Sequence, residues 1–113
     1  MDLNQLLEEI KNASKKFFPL VALQYDMVRN THLHVRITFQ QDLFMDIYAN
    51  SETGTKDFAL IYKNERIYGI DNLKGWHYHP FEEIGKYVSC KEPSVEEVFE
   101  NMKNIIETLV GGS

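Results

Sequence analysis

The residues of this chain best suited to chemistry cluster in one stretch, Asp71-Asn72-Leu73-Lys74-Gly75-Trp76-His77-Tyr78-His79-Pro80. Two of its four histidines stand here, two positions apart and beside the single tryptophan. In an extended segment, residues two apart point to the same side, so His77 and His79 can face one pocket. Imidazole is the usual general acid/base near neutral pH. One neutral ring that takes a proton and one protonated ring that gives one suit in-line cleavage of a phosphodiester. Asp71 is placed to orient an imidazole, and Arg36 to stabilise charge on a phosphate. Trp76 and Tyr78 offer faces on which a nucleobase can stack. The plain alternative is that both histidines are packed loop residues, because a bare His-x-His is common.

His-x-His can also give two nitrogen ligands to zinc, with His34, His32 or Asp71 reaching in from elsewhere in the chain. Against a structural zinc site stand a lone cysteine, Cys90, and the lack of any Cys-x-x-Cys or His-Glu-x-x-His. Acid–base work by the two rings is the preferred role, with no cofactor and no metal expected. His32 and His34 form a second pair, best taken as solvated side chains on an open strand face. Cys90 fits an inert, semi-buried thiol. Glu92, Glu96, Glu97 and Glu100 fit helix capping plus a solvated face. No glycine spacing of the phosphate-loop or dinucleotide-binding type occurs.

The elements that must position these groups follow from periodicity. Asp2 to Lys16 is an amphipathic helix, with Leu3, Leu6, Leu7, Ile10 and Ala13 on one face. Asp2 caps it and Phe17-Phe18-Pro19 ends it. Leu20 to Val28 alternates as a strand. In Thr31 to Phe39, Leu33, Val35, Ile37 and Phe39 face one way while His32, His34, Arg36 and Thr38 face the other. Leu43 to Asn50 resumes the alternation after Gln40-Gln41-Asp42. A three-residue loop there pairs Phe39 with Leu43, Ile37 with Met45 and Val35 with Ile47, which sets Arg36 opposite Asp46 and His34 opposite Tyr48. Further strands are expected over Lys56 to Lys63 and Arg66 to Asp71, joined by a tight turn at Asn64-Glu65. Leu73 to Pro93 is irregular, with a short helical turn expected at Phe81-Glu82-Glu83-Ile84 and a short strand at Tyr87-Val88-Ser89. Ser94 and Glu97 form a capping box that opens a second helix, with Val95, Val98, Phe99, Met102, Ile105, Ile106 and Leu109 at helical spacing. Gly111-Gly112-Ser113 reads as a flexible end.

The totals set the bounds. A chain of 113 residues fits one domain, residues 1–113, with one real core. Its 43% apolar and 26% charged residues are near the soluble globular average. The net charge of −5 argues against broad binding to nucleic-acid backbones, though not against one local cationic site. No apolar run is long enough for a transmembrane helix, so no membrane partner is expected. The acidic start, Met1-Asp2-Leu3-Asn4-Gln5-Leu6-Leu7-Glu8-Glu9, lacks both parts of a signal peptide. With a lone cysteine that has no internal partner, this indicates a cytoplasmic protein.

A resemblance joins these features. Arg66-Ile67-Tyr68-Gly69-Ile70-Asp71-Asn72, then Gly75-Trp76-His77-Tyr78-His79-Pro80, then Glu92-Pro93-Ser94-Val95-Glu96-Glu97-Val98 resembles a prokaryotic family of small proteins, the TumE-like toxin components of toxin–antitoxin pairs. The likeness runs from about Leu33 to Leu109, and its specific part is Asp71-Asn72, His77, His79 and Pro80. The family often carries a longer histidine segment, of which one short Trp-His-Tyr-His-Pro stands here. The resemblance implies a stress-linked toxin acting on RNA, with an adjacent antitoxin protein as partner.

Together these features predict a single α+β domain, an antiparallel meander of about five strands flanked by an N-terminal and a C-terminal helix. The expected function is that of a toxin component acting as a metal-independent ribonuclease. His77 and His79 are the acid and base, and Asp71 orients them. Arg36, His34, Lys74, Trp76, Asn72 and Tyr78 are the expected substrate contacts. The alternative is a non-catalytic module that binds a protein partner, or a second copy as a homodimer, through its open sheet face and its Trp/His loop.

Overall fold

The computed structural model describes residues 1–111; of the expected flexible end, Gly112 and Ser113 lie outside the described residues. The first helix, α1 (Leu3–Phe17), begins where the Asp2 carboxylate accepts from the Asn4 and Gln5 N–H groups at 2.9 and 3.2 Å. It stops at Phe18, before Pro19, with the Phe18 N–H donating back to Ser14. Seven strands follow: β1 (Leu23–Val28), β2 (His32–Gln40), β3 (Leu43–Asn50), β4 (Thr55–Tyr62), β5 (Glu65–Asp71), β6 (His77–His79) and β7 (Val88–Ser89). They pair in chain order, each antiparallel to the next, and α2 (Val95–Val110) closes the chain. The Ser94–Glu97 capping box is formed, with both bonds at 3.1 Å.

The α+β class and the antiparallel meander are as expected, and the strand count rises from five to seven. The short strand expected at Tyr87-Val88-Ser89 forms as β7, and β6, with three residues, is too short for alternation to reveal. Phe81 to Ile84 is not helical: Pro80 to Lys86 runs through two successive turns, with Glu82 at a φ of 72°. The β4–β5 turn falls on Lys63-Asn64, one residue earlier than expected. Both residues have positive φ, the twist that matches a two-residue hairpin. The β2–β3 register agrees at Arg36–Asp46, His34–Tyr48, Ile37–Met45 and Val35–Ile47, but Leu43 pairs with Gln40 rather than Phe39. An irregularity between Thr38 and Gln40 absorbs one residue, so a two-residue turn, Gln41-Asp42, keeps the apolar faces aligned.

The alternation decides which side the helices cover. Leu33, Val35, Ile37, Met45, Ile47, Phe58, Leu60 and Ile70 are buried in one cluster with Leu6, Leu7 and Ile10 of α1 and Val98, Phe99 and Met102 of α2. The opposite face carries no helix and is mostly polar, and all four histidines stand on strands at its register positions. One transverse row across it reads Asp26, His34, Tyr48, Asp57, Asp71, His77, Ser89; the next reads Gln24, Arg36, Asp46, Ala59, Gly69, His79. Among the described residues no helix is long and apolar enough to cross a membrane.

Candidate functional site

The hairpin between β5 and β6 builds the site. Asp71 ends β5 and pairs directly with His77, the first residue of β6, while His79 pairs with Gly69 in the next row. The loop that joins them is fixed by Asn72. Its side-chain oxygen accepts from the Lys56 N–H at 2.9 Å, and its amide donates to the Gly54 carbonyl at 2.7 Å. Its backbone N–H donates to Lys56 at 3.2 Å, so both ends of Asn72 are committed to β4 and the preceding turn. Gly75 then turns the chain with a φ of 93°.

The two rings are oriented by backbone carbonyls. His77 Nδ1 lies 2.9 Å from the Gly75 oxygen, and His79 Nδ1 lies 2.9 Å from the Lys86 oxygen. A carbonyl only accepts, so each Nδ1 carries the hydrogen and each Nε2 is left free. His77 Nε2 faces Asp71 Oδ1 at 3.5 Å, longer than a normal N–H···O bond. Asp71 and His77 are 4% and 5% exposed, whereas His79 is half-buried. One ligand-capable atom from each of the three residues lies within 4.8 Å of the other two.

Asp71 is itself held from two sides. Its Oδ1 accepts from the Leu73 N–H at 3.0 Å, and its Oδ2 from Arg66 Nη2 at 3.3 Å. The same guanidinium nitrogen donates to Asp57 Oδ1 at 3.1 Å. Arg66 reaches both carboxylates because β5 carries glycine at position 69: the three atoms nearest a Cβ placed there all belong to the Arg66 guanidinium group. Arg66 Nε is buried without a hydrogen-bond partner. Burial pushes the Asp57 carboxyl above its ordinary value, and the Asp71 charge adds to this while Arg66 opposes it.

A tyrosine roofs the centre. The Tyr87 ring stacks on His77 with centroids 4.0 Å apart and planes 16° apart, and it meets His79 edge-on at 6.1 Å. Its hydroxyl donates to the Lys74 carbonyl at 3.3 Å. Lys74 and Lys86, both exposed, therefore root their side chains at the rim of the centre. Sequence reasoning missed Tyr87, Lys86 and Arg66 as parts of this site. An isolated glycine inside a strand pattern is a sign of close approach and was available at Gly69.

The other expected contacts go elsewhere. Trp76 and Tyr78 pack against the helix-covered core, the opposite side of β6 from the histidines. Arg36 pairs with both oxygens of Asp46 at 2.8 and 2.9 Å, and His34 Nε2 lies 3.2 Å from Asp46 Oδ1. β2 is four strand spacings from β6, about 19 Å, so Arg36 and His34 share the open face with the centre without touching it. Asn72 is consumed as a clamp. Of the expected site residues, Asp71, His77 and His79 come together, and Lys74 adjoins them through its carbonyl, which accepts from Tyr87. Cys90 is half-buried, and burial pushes its thiol up.

A comparison with family models, curated proteins and solved structures finds no match to this chain.

Proposed function

We propose that this chain is a cytoplasmic, toxin-like protein that cleaves RNA at the Asp71–His77–His79 centre. The observation that carries the proposal is the placement of two imidazoles whose Nδ1–H groups are bound to carbonyls, with His77 Nε2 beside the buried Asp71 carboxylate and a ring nitrogen of His79 within 4.8 Å of both residues. RNA cleavage needs one group to take the 2′-hydroxyl proton and another to give a proton to the departing 5′-oxygen. His79, half-buried with Nε2 free, takes the first role. His77, held at Nδ1 by the Gly75 carbonyl and carrying a proton at Nε2 beside Asp71, takes the second, and reaching it requires the Tyr87 ring to swing aside. Lys74 and Lys86 at the rim supply the cationic contact to phosphate. The resemblance of Asp71-Asn72, His77, His79 and Pro80 to the TumE-like toxins agrees with this role and implies an antitoxin protein as partner.

The test is incubation of purified full chain with mixed RNA, with and without chelator, beside a His77→Ala/His79→Ala variant. Cleavage that persists in chelator and disappears in the variant supports the proposal. Intact RNA after incubation with folded wild-type protein sinks it.

A second role is favoured by one feature, the edge strand β1, where Tyr25 and Val28 are exposed on a strand with one unpaired side. That edge suits an interaction module adding a strand from a partner or a second copy. Sedimentation across a concentration series reads self-association directly.

A further inference from the structure

The same three side chains have a second use that acid–base work does not require. We infer that Asp71 Oδ, His77 Nε2 and His79 Nε2 form a site for a divalent transition-metal ion of the zinc class. The geometry is that of ligands, not of a hydrogen bond. A buried ring nitrogen and a buried carboxylate oxygen face each other across 3.5 Å, too far for a good N–H···O bond. Zinc held at about 2.0–2.2 Å from each ligand in a tetrahedron sets those ligands roughly 3.4 Å apart. The His77–Asp71 edge already has that length, and the third ligand-capable atom lies within 4.8 Å, so His79 closes the site with a small shift.

The surroundings match what a metal centre needs. Ligand histidines donate their other ring N–H to a carbonyl or carboxylate, which fixes the tautomer, and both histidines do so here to Gly75 and Lys86. Asp71 is steadied by the Leu73 N–H and Arg66. Two imidazoles and one carboxylate favour zinc, iron or cobalt over magnesium or calcium, which take oxygen ligands. Three protein ligands beside a half-buried edge leave an open coordination position. The alternative pair, His32 and His34, lies across the sheet, where His32 contacts Thr31 and Asn50 and His34 contacts Asp46.

Metal binding stands apart from the RNA reading, but one consequence rests on it. The ion occupies both Nε2 positions, one of which must accept a proton and the other carry one for cleavage, so a metal-loaded centre and an RNA-cleaving pair are exclusive states. Zinc then acts as a switch that turns cleavage off.

The experiment titrates chelator-stripped full chain with zinc chloride by calorimetry and with cobalt(II) chloride by visible absorption. One equivalent is expected to bind, and His77→Ala, His79→Ala or Asp71→Asn is expected to lower affinity more than about 100-fold, beyond what loss of an outer-shell partner costs. A His32→Ala/His34→Ala variant is expected to bind as wild type. Because Asp71 and His77 are buried, wild-type protein gives a check independent of folding. Nitrogen NMR during zinc addition is expected to move the Nε2 signals of His77 and His79 and to leave those of His32 and His34. No saturable binding, or signal movement at His32 and His34 instead, overturns the inference. Zinc binding with no RNA cleavage under any condition leaves the metal site standing and removes the ribonuclease. RNA cleavage without zinc binding does the reverse.

Discussion

Replacement of Gly69 by alanine tests how the centre is held. The new Cβ falls where the Arg66 guanidinium lies, so that group must leave. It then gives up bonds of 3.1 Å to Asp57 and 3.3 Å to Asp71. Charge-assisted bonds contribute about 1.5–3 kcal/mol each when well made. Arg66 is about a third exposed and these bonds are long, which brings the expected value down to about 1 kcal/mol each. Alanine in a strand recovers about 0.5–1 kcal/mol relative to glycine. Gly69→Ala should therefore lose about 1–1.5 kcal/mol, roughly a 4–6 °C fall in Tm for a domain of this size. In an Arg66→Ala background the same substitution meets no guanidinium and should be neutral or stabilising by about 0.5 kcal/mol. Urea unfolding of the wild type, the two single variants and the double variant gives the coupling directly. Equal cost of Gly69→Ala in both backgrounds would refute the reasoning, because the alanine would then be colliding with something other than Arg66.

Further outcomes follow from the same geometry. Asn72→Ala should destabilise the fold by about 1–3 kcal/mol in urea unfolding, because it leaves the Lys56 N–H and the Gly54 carbonyl without their partner. Tyr87→Phe keeps the ring over His77 and should leave zinc affinity within about threefold of wild type, whereas Tyr87→Ala uncovers the ring and should weaken it about 10-fold or more. Calorimetry separates the two. Arg36→Ala breaks a partly exposed pair with Asp46 and should cost no more than about 1 kcal/mol, with unchanged behaviour at the histidine centre. Burial holds the Cys90 thiol protonated, so its alkylation rate should rise at higher pH than that of free cysteine and stay slow at neutral pH. A stopped-flow alkylation series across pH measures the midpoint.

The sequence by itself determined the elements that carry long, unambiguous patterns. Alternation along the nine residues of β2 and the eight of β3 sets their apolar face. Matching those faces places Arg36 opposite Asp46 and His34 opposite Tyr48, as the structure has them. Asp2, Ser94 and Glu97 marked the helix starts because capping is a local interaction, complete within a few residues. His77, His79 and Asp71 were legible as a candidate site from residue type and spacing alone. Tertiary structure decided what those residues face. β6 is too short to show a period; it forms by pairing on the edge of β5, and β7 pairs in turn on β6. That pairing sends the histidines to the side without helices and packs Trp76 and Tyr78 against the core, which separates aromatic rings from imidazoles that neighbour them in sequence. Tyr87 and Lys86 return to the site only through the turns after Pro80, and Arg66 reaches Asp71 only across the bare backbone of Gly69. Local spacing records which side chains a segment carries. The contacts between segments are set by strand pairing and close packing, and those act over distances in the chain that no local pattern spans.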